Sequence, residues 1–549
     1  MDTSMQNTTK SFFLLLFSIF LAKVFSQNVE KKWIFLRDKG ANVDYYLAHP
    51  ELYLSQRAIE RRAKYGIPID ITDVPVEKGY VQSIQSTGAK VIGVSNWLNA
   101  VCVEATSAQI QSLKNLPFVK EIKNHTTYRR KIEEVQESVS NNNAAKTNSY
   151  YGSAFVQNDM IGIPCVHNAG YTGKNVIITL MDSGFKNADT LSCFKHVFLQ
   201  GRLLNTYDFV DNQPTAWDED GHGTLVWSTI AAKLPYVIVG TAPDAKFILY
   251  RTEQVSAEIN QEEINWLLAS QRADSLGTDI IHSSLGYSIF DPGQNSYTYA
   301  DMDGKTTIIT QAAVMARRKG IMITNSAGNE GTSSWGYITA PSDADSILCV
   351  GAVDANRIRA PFSSYGPTSD GRIKPDVMAM GVAAACVSGN SGNVVTASGT
   401  SLSGPLIAGL CACLLQAKPT LAPIELVNAV RNASDRKDNP DNLYGYGIPD
   451  GCAALAAITY LKEHANNSLS LEVYPNPATN EIQVEYFGTP GKATLSILNS
   501  LGQLIQQETF FITSENAKIT IPIDLLPHGS YYLKIDTQKG TARKVFIKQ

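Results

Sequence analysis

Three serines fall within six residues at Ser398, Ser401 and Ser403, in the stretch ASGTSLSGP that precedes the apolar run LIAGLCACLL. A serine hydroxyl attacks a carbonyl only when a base takes its proton, so distant residues must complete the chemistry. Three polar side chains qualify. Asp182 ends the run NVIITLMD, His222 lies between glycines in DGHGT, and Asn329 stands in the turn after GIMITNSAG. A carboxylate at a buried strand end can orient an imidazole, and an amide held in a turn can donate to a developing oxyanion. Of His167, His196, His222 and His282 in this region, only His222 has a glycine on each side, which allows close approach of backbone. Ser401 is expected just before a helix, with Pro405 in its first turn, where a missing N–H costs little. Its own N–H would then be a second oxyanion donor, while Ser398 and Ser403 read as loop and cap residues.

Singly, each signal has a plain structural alternative: a strand-end turn for Asp182-Ser183-Gly184, a turn asparagine, a capping serine. For His222 the alternatives are a loop histidine or a metal site with Asp218, Glu219 and Asp220, weak because no second histidine stands at ligand spacing. Together they are more informative. Asp182, His222 and Ser401 follow one of the chain orders in which a catalytic triad occurs. An α/β-hydrolase would place serine first within G-x-S-x-G, and GTSLS lacks the last glycine.

These residues need a frame. From about 150 to 460, short branched-rich runs (NVIITLMD, FILYR, DIIHSSLG, GIMITNSAGN, SILCVGAV) alternate with helical patterns. The pattern predicts an α/β fold, a parallel sheet with helices on both faces, whose loops beyond the strand carboxyl ends carry the active residues. Ahead of it, residues 27–128 mix strand-like and helical runs, a small α+β domain, and 129–149 form a polar connector that a protease can cut. After a linker at 461–469, residues 470–549 show period-two runs between turn residues, a small β-sandwich.

A chain of 549 residues, 44% hydrophobic and 18% charged, with a net charge of −4, is multidomain globular protein with no electrostatic case for nucleic acid. Residues 1–26 read as a secretory signal peptide cut after Ser26; their apolar stretch falls short of the ~20 residues that span a bilayer. LIAGLCACLL suits a buried helix. The eight cysteines include no CxxC pair, so mostly buried thiols with one or two bridges are expected, with no pairing readable.

At MDSGF, GHGT, SSLG, SAGNEG and GTSLSGP, residues 150–460 resemble a subtilase, a subtilisin-like serine endopeptidase. The resemblance implies Asp182 as the residue that orients the imidazole, His222 as general base and acid, Ser401 as nucleophile and Asn329 as oxyanion donor. It also implies that Ser284, Leu285 and Gly286 pair with substrate backbone and edge the specificity pocket. Two departures stand out: Leu402-Ser403-Gly404 where Met-Ala usually follows the nucleophile, and Trp227 and Ser228 where small residues usually follow GHGT. A bulky insertion at about 252–277 and 288–312 is expected beside the substrate strand.

By the same resemblance the N-terminal domain is similar to an inhibitory propeptide, with its cut site at about 126–148 and a permanent accessory domain as the alternative. The tail, through VYPNPATNEIQVE, LPHGSYYLKI and ARKVFIKQ, resembles the C-terminal sorting domain of type IX secretion, with a carbohydrate- or protein-binding sandwich as the alternative. The resemblance implies export through the periplasm of a Gram-negative-type bacterium, a secreted or cell-surface product, and outer-membrane secretion machinery as a partner. Protein or peptide substrates follow, with no cofactor required. A structural calcium ion is implied only by analogy, and no complete ligand loop can be read. The rival functions are a catalytically silent binding scaffold and an esterase on the same nucleophile.

Overall fold

A computed structural model describes residues 29–124, 149–217, 220–254, 261–288, 297–465, 470–499, 503–514, 516–538 and 540–549. The expected signal peptide, the expected cut site at 126–148, and Asp218 and Glu219 lie outside these residues. The chain forms two compact units, 1–454 and 455–549. The division falls within a helix, Gly451–Ala465, so the linker expected at 461–469 begins as helix.

In the first unit, strands β1 (Val29–Leu36), β2 (Lys90–Ser95), β3 (Ala100–Thr106) and β4 (Val119–Asn124) make an antiparallel sheet in the order β2-β3-β1-β4. Helix α1 (Gln56–Lys64) is capped by Ser55, which accepts from Ala58 N–H. Alternate side chains of a strand face opposite ways, and both faces here are covered. Ile34, Val101 and Val103 pack with Ile84 of α2 (Lys78–Gln85) and with Ile110 and Leu113 of α3 (Ser107–Lys114). Trp33, Ala100 and Cys102 turn instead toward the following domain.

That domain is built on strands β5 (Ile177–Asp182), β6 (Leu203–Asp208), β7 (Lys246–Arg251), β8 (Ile280–Ser283), β9 (Met322–Ser326), β10 (Leu348–Val353) and β11 (Val377–Met380). They form a seven-stranded parallel sheet in the order β11-β10-β9-β8-β5-β7-β6. Every residue of β5, β8, β9, β10 and β11 is buried, as strands covered on both faces require. Helices α4 (His222–Ala231) and α7 (Thr400–Ala417) approach the face that carries Asp182 and His282. On the other face Ile177, Met181, Ile281 and Ile323 pack with Trp266 and Leu267 of α5 (Gln261–Leu276) and Ile309 of α6 (Ile308–Arg318).

Helix α5 corrects the expected insertion at 252–277. It is a covering helix pressed between this sheet and the N-terminal one, and Trp33, Trp97 and Cys102 share its hydrophobic cluster. Its polar residues find partners across that boundary. Gln271 Oε1 accepts from Ser95 Oγ at 2.8 Å and from Trp97 N–H at 3.0 Å, and Asp274 pairs with both Arg61 and Arg62 of α1. Within the other expected insertion, residues 289–296 lie outside the described residues and 308–312 begin α6.

Helix α7 is buried from Thr400 to Leu415, and Pro405 is its sixth residue rather than part of its first turn. A disulfide joins Cys165 to Cys452, and the other six cysteines are buried thiols. The second unit has a three-stranded and a four-stranded antiparallel sheet around one core that includes Val484, Tyr486, Ile497, Leu533, Ile535 and Phe546, the sandwich expected from period two.

Candidate active site

β5 lies where the strand order reverses, with β7 on one side and β8 on the other. Ligand sites of open α/β sheets form at such points, beyond the strand carboxyl ends. Asp182 is the last residue of β5 and is 1% exposed. Its Oδ1 accepts from Ser183 N–H at 2.8 Å and lies 2.6 Å from His222 Nδ1. The pair meets because α4 starts on top of the strand end. A Cβ on Gly223 would lie 2.4 Å from Gly184 O and 3.0 Å from Asp182 Cβ, so only glycine lets the helix begin there. Ser183 Oγ donates to Asp220 Oδ2 at 2.6 Å, which fixes a second carboxylate near the imidazole.

Burial pushes the His222 pKa down, but the Asp182 charge, its hydrogen bond and Asp220 outweigh it and hold the imidazole above its ordinary value. Nδ1–H is committed to Asp182, which leaves Nε2 as the nitrogen for proton transfer.

Ser401 is the second residue of α7 and is 6% exposed. Its helix is fastened to that of His222: Leu225, one turn beyond His222, shares a buried cluster with Leu402 and with Ala384, Cys386, Val395 and Ala397. Asn329 follows β9 by three residues and reaches the same helix start. Its Oδ1 accepts from Thr400 N–H at 2.9 Å and from Thr400 Oγ1 at 3.1 Å, so the amide nitrogen remains free to donate to a substrate. The Thr400 carbonyl accepts from Ser326 Oγ at 2.8 Å and Ser403 Oγ at 3.0 Å. In a trans peptide the N–H points opposite the C=O, so this grip on the Thr400 carbonyl aims Ser401 N–H away from the sheet. Ser398 Oγ accepts from Ala383 N–H at 3.0 Å. The three serines therefore do different work: Ser398 braces a loop, Ser403 a peptide plane, and Ser401 is the one at the helix start beside Asn329.

Ser284, Leu285 and Gly286 continue directly from β8, whose Ser283 pairs with Asn325 of β9. Ser284 Oγ donates to Ser401 O at 3.1 Å, and Leu285 O accepts from Asn325 Nδ2 at 2.9 Å. The Trp227 and Ser228 departures face the core. Trp227 stacks on Phe194 at 3.9 Å between ring centroids, and Ser228 Oγ accepts from Val387 N–H at 2.8 Å. His167 bonds Tyr151 OH and Thr241 O, and His196 bonds Pro243 O, away from the site. Two residues take roles that sequence reasoning did not give them: Asp220, weighed only as a metal ligand, and His282, set aside for lacking glycine flanks. The first lay in the acidic run DED and the second inside a run read as apolar; a polar ring in a buried strand was the available signal.

Among the described residues no group of three or more His, Cys, Asp or Glu side chains is placed to hold a metal ion.

The family comparisons cover the three expected regions. Residues 173–447 match the Subtilase family, 31–143 the Peptidase S8 propeptide domain of Bacteroidota, and 472–549 the secretion system C-terminal sorting domain. Serine protease AprX of Bacillus subtilis is 30% identical over 305 residues, 50% of this chain and 65% of that protein. M-protease of Shouchella clausii is 27% identical over 292 residues, 53% of this chain and 67% of that protein. Subtilisin BL of Lederbergia lenta is 27% identical over 292 residues, 53% of this chain and 94% of that protein. The chain thus spans about two thirds of the length of the first two relatives. With a parallel sheet that pairs Asp182 and His222 at its switch point and a family match that contains all four candidate residues, the chain belongs to the subtilase family of serine endopeptidases.

Proposed function

We propose that the chain is a precursor of an exported endopeptidase that hydrolyses peptide bonds through Asp182, His222 and Ser401. The 2.6 Å Asp182–His222 contact beside the start of the Ser401 helix carries this reading. Substrate backbone would lie along Ser284, Leu285 and Gly286 as an added strand. His222 Nε2 takes the Ser401 proton as Oγ attacks the carbonyl carbon, and Asp182 steadies the imidazolium. The oxyanion accepts from Asn329 Nδ2 and Ser401 N–H. Collapse of the tetrahedral species expels the amine, protonated by His222, and leaves Ser401 acylated. A water deprotonated by His222 then attacks the ester, and collapse returns the proton to Ser401. Side chains, backbone and water suffice for every step.

Residues 27–128 would act as the inhibitory propeptide and be cut from the catalytic domain in the polar connector. The sandwich at 470–549 would address the protein to outer-membrane secretion machinery and give a secreted or surface product. Incubation with an unfolded protein, a simple ester and a fluorophosphonate probe separates the readings. Hydrolysis of the protein with labelling of the parent is expected. Ester cleavage without proteolysis favours an esterase, and no labelling favours a scaffold.

A further inference from the structure

The sheet face that carries Asp182 also carries a histidine that the mechanism leaves unused. His282 pairs in register with Leu180 of β5 and Thr324 of β9, is fully buried, and faces α7. Both ring nitrogens have partners: Nδ1 lies 2.9 Å from Thr324 Oγ1 and Nε2 lies 3.0 Å from Ser284 Oγ. With the Ser284 Oγ proton assigned to the Ser401 carbonyl, Ser284 accepts from Nε2–H, which leaves Nδ1 the acceptor facing the Thr324 hydroxyl. The Ser401 carbonyl is open to this contact because the residue four positions on is Pro405, which has no N–H to return the usual helical bond. Gly404, one of the departures after the nucleophile, is what admits the ring. A Cβ at Gly404 would lie 2.8 Å from His282 Cε1 and 2.7 Å from Ser326 Oγ.

We propose that His282 is a positioning residue for the nucleophile: through Ser284 it holds the Ser401 carbonyl and with it the backbone turn from which Oγ projects, and Gly404 is its size-matched partner. This rests on Ser401 being the nucleophile. Small displacements of a reacting group cost up to about a hundredfold in rate, so the effect belongs in kcat.

The test is a set of variants assayed on one peptide with active sites counted by fluorophosphonate. H282L fills the space without a donor and is expected to lose about ten- to a hundredfold in kcat, with KM within about threefold. H282Q returns an N–H near the Nε2 position and restores most of that loss. G404A, whose methyl meets both His282 Cε1 and Ser326 Oγ, loses kcat, and in H282A/G404A the part of that loss due to the ring disappears, so the combined loss is less than the product of the two. If H282L does not fold, the G404A pair carries the test. Parental kcat in H282L or G404A, a loss confined to KM, or multiplicative losses in H282A/G404A overturns the proposal while Ser401 labelling still stands. A parent not labelled at Ser401 overturns the protease reading and this one with it.

Discussion

Replacing Asp182 by Asn keeps the shape of the strand end and the acceptor for Ser183 N–H but removes the charge beside His222. During attack the imidazole becomes imidazolium, so the lost term is the attraction between two unit charges. With charge centres about 4 Å apart and an effective dielectric of about 20, that attraction is about 4 kcal/mol. Asp182 is 1% exposed, so solvent screening takes little of it away. At about 1.4 kcal/mol per factor of ten, kcat should fall about a thousandfold. KM should stay within about threefold, because the charge acts when the imidazolium forms rather than when substrate binds. The pH dependence adds an independent mark. His222 must be neutral to accept the proton, and its pKa is held above the ordinary imidazole value by Asp182 and Asp220 against the effect of burial. The acid limb of kcat/KM therefore lies at higher pH than a free imidazole would give, and D182N should move it down. The assay is a fluorogenic peptide followed across pH, with circular dichroism to confirm folding. A kcat loss below about tenfold, or an unmoved acid limb, would refute the pairing as the source of basicity.

N329A removes one of two oxyanion donors and should lower kcat by about a hundred- to a thousandfold with KM nearly unchanged, measured on the same peptide. The Cys165–Cys452 bridge joins residues 287 apart, so C165S/C452S should lower stability by up to about 5 kcal/mol in the chain-entropy picture; denaturant unfolding of an S401A background checks this without self-digestion. Burial lowers the His282 pKa to about 3, so the folded ring stays neutral while the unfolded one takes up a proton below its ordinary value. Stability should thus fall as pH drops below about 6.5, with His282 contributing about 1.4 kcal/mol per pH unit, and H282L should flatten that slope in urea titrations from pH 6 to about 4.

The candidate constellation was legible because each member interrupts a pattern. Asp182 ends a wholly buried strand, His222 sits between glycines that open a helix, and Asn329 and Ser401 follow the same grammar at later elements. What stayed hidden depends on contacts between segments. Helix α5 was expected only as an insertion; nothing in its sequence marks Glu262, Glu263, Gln271 and Asp274 as covered, yet the first is 1% exposed, the second is fully buried, and Arg61, Arg62 and Ser95 of the N-terminal region answer the last two. The same contacts make the α+β region and the α/β domain one compact unit, where composition suggested separate bodies. Cys165 and Cys452 carry no spacing signal, since they lie on helices far apart in sequence whose packing brings their Cα atoms to 5.8 Å. Pro405 was expected in the first turn, but its place at the sixth residue has a different physical role: it releases the Ser401 carbonyl to Ser284. His282 was passed over inside a strand taken as apolar, although its hydroxyl partners Thr324 and Ser284 are what make its burial affordable.

The claim at the centre is that Ser401, activated by His222 and Asp182, is the nucleophile among three neighbouring serines. Mass spectrometry of the fluorophosphonate-treated protein tests it most directly. The adduct is expected on the peptide that contains Ser401, absent in S401A and greatly slowed in D182N, while S403A still reacts. An adduct on Ser398 or Ser403, or undiminished proteolysis by S401A, would contradict it.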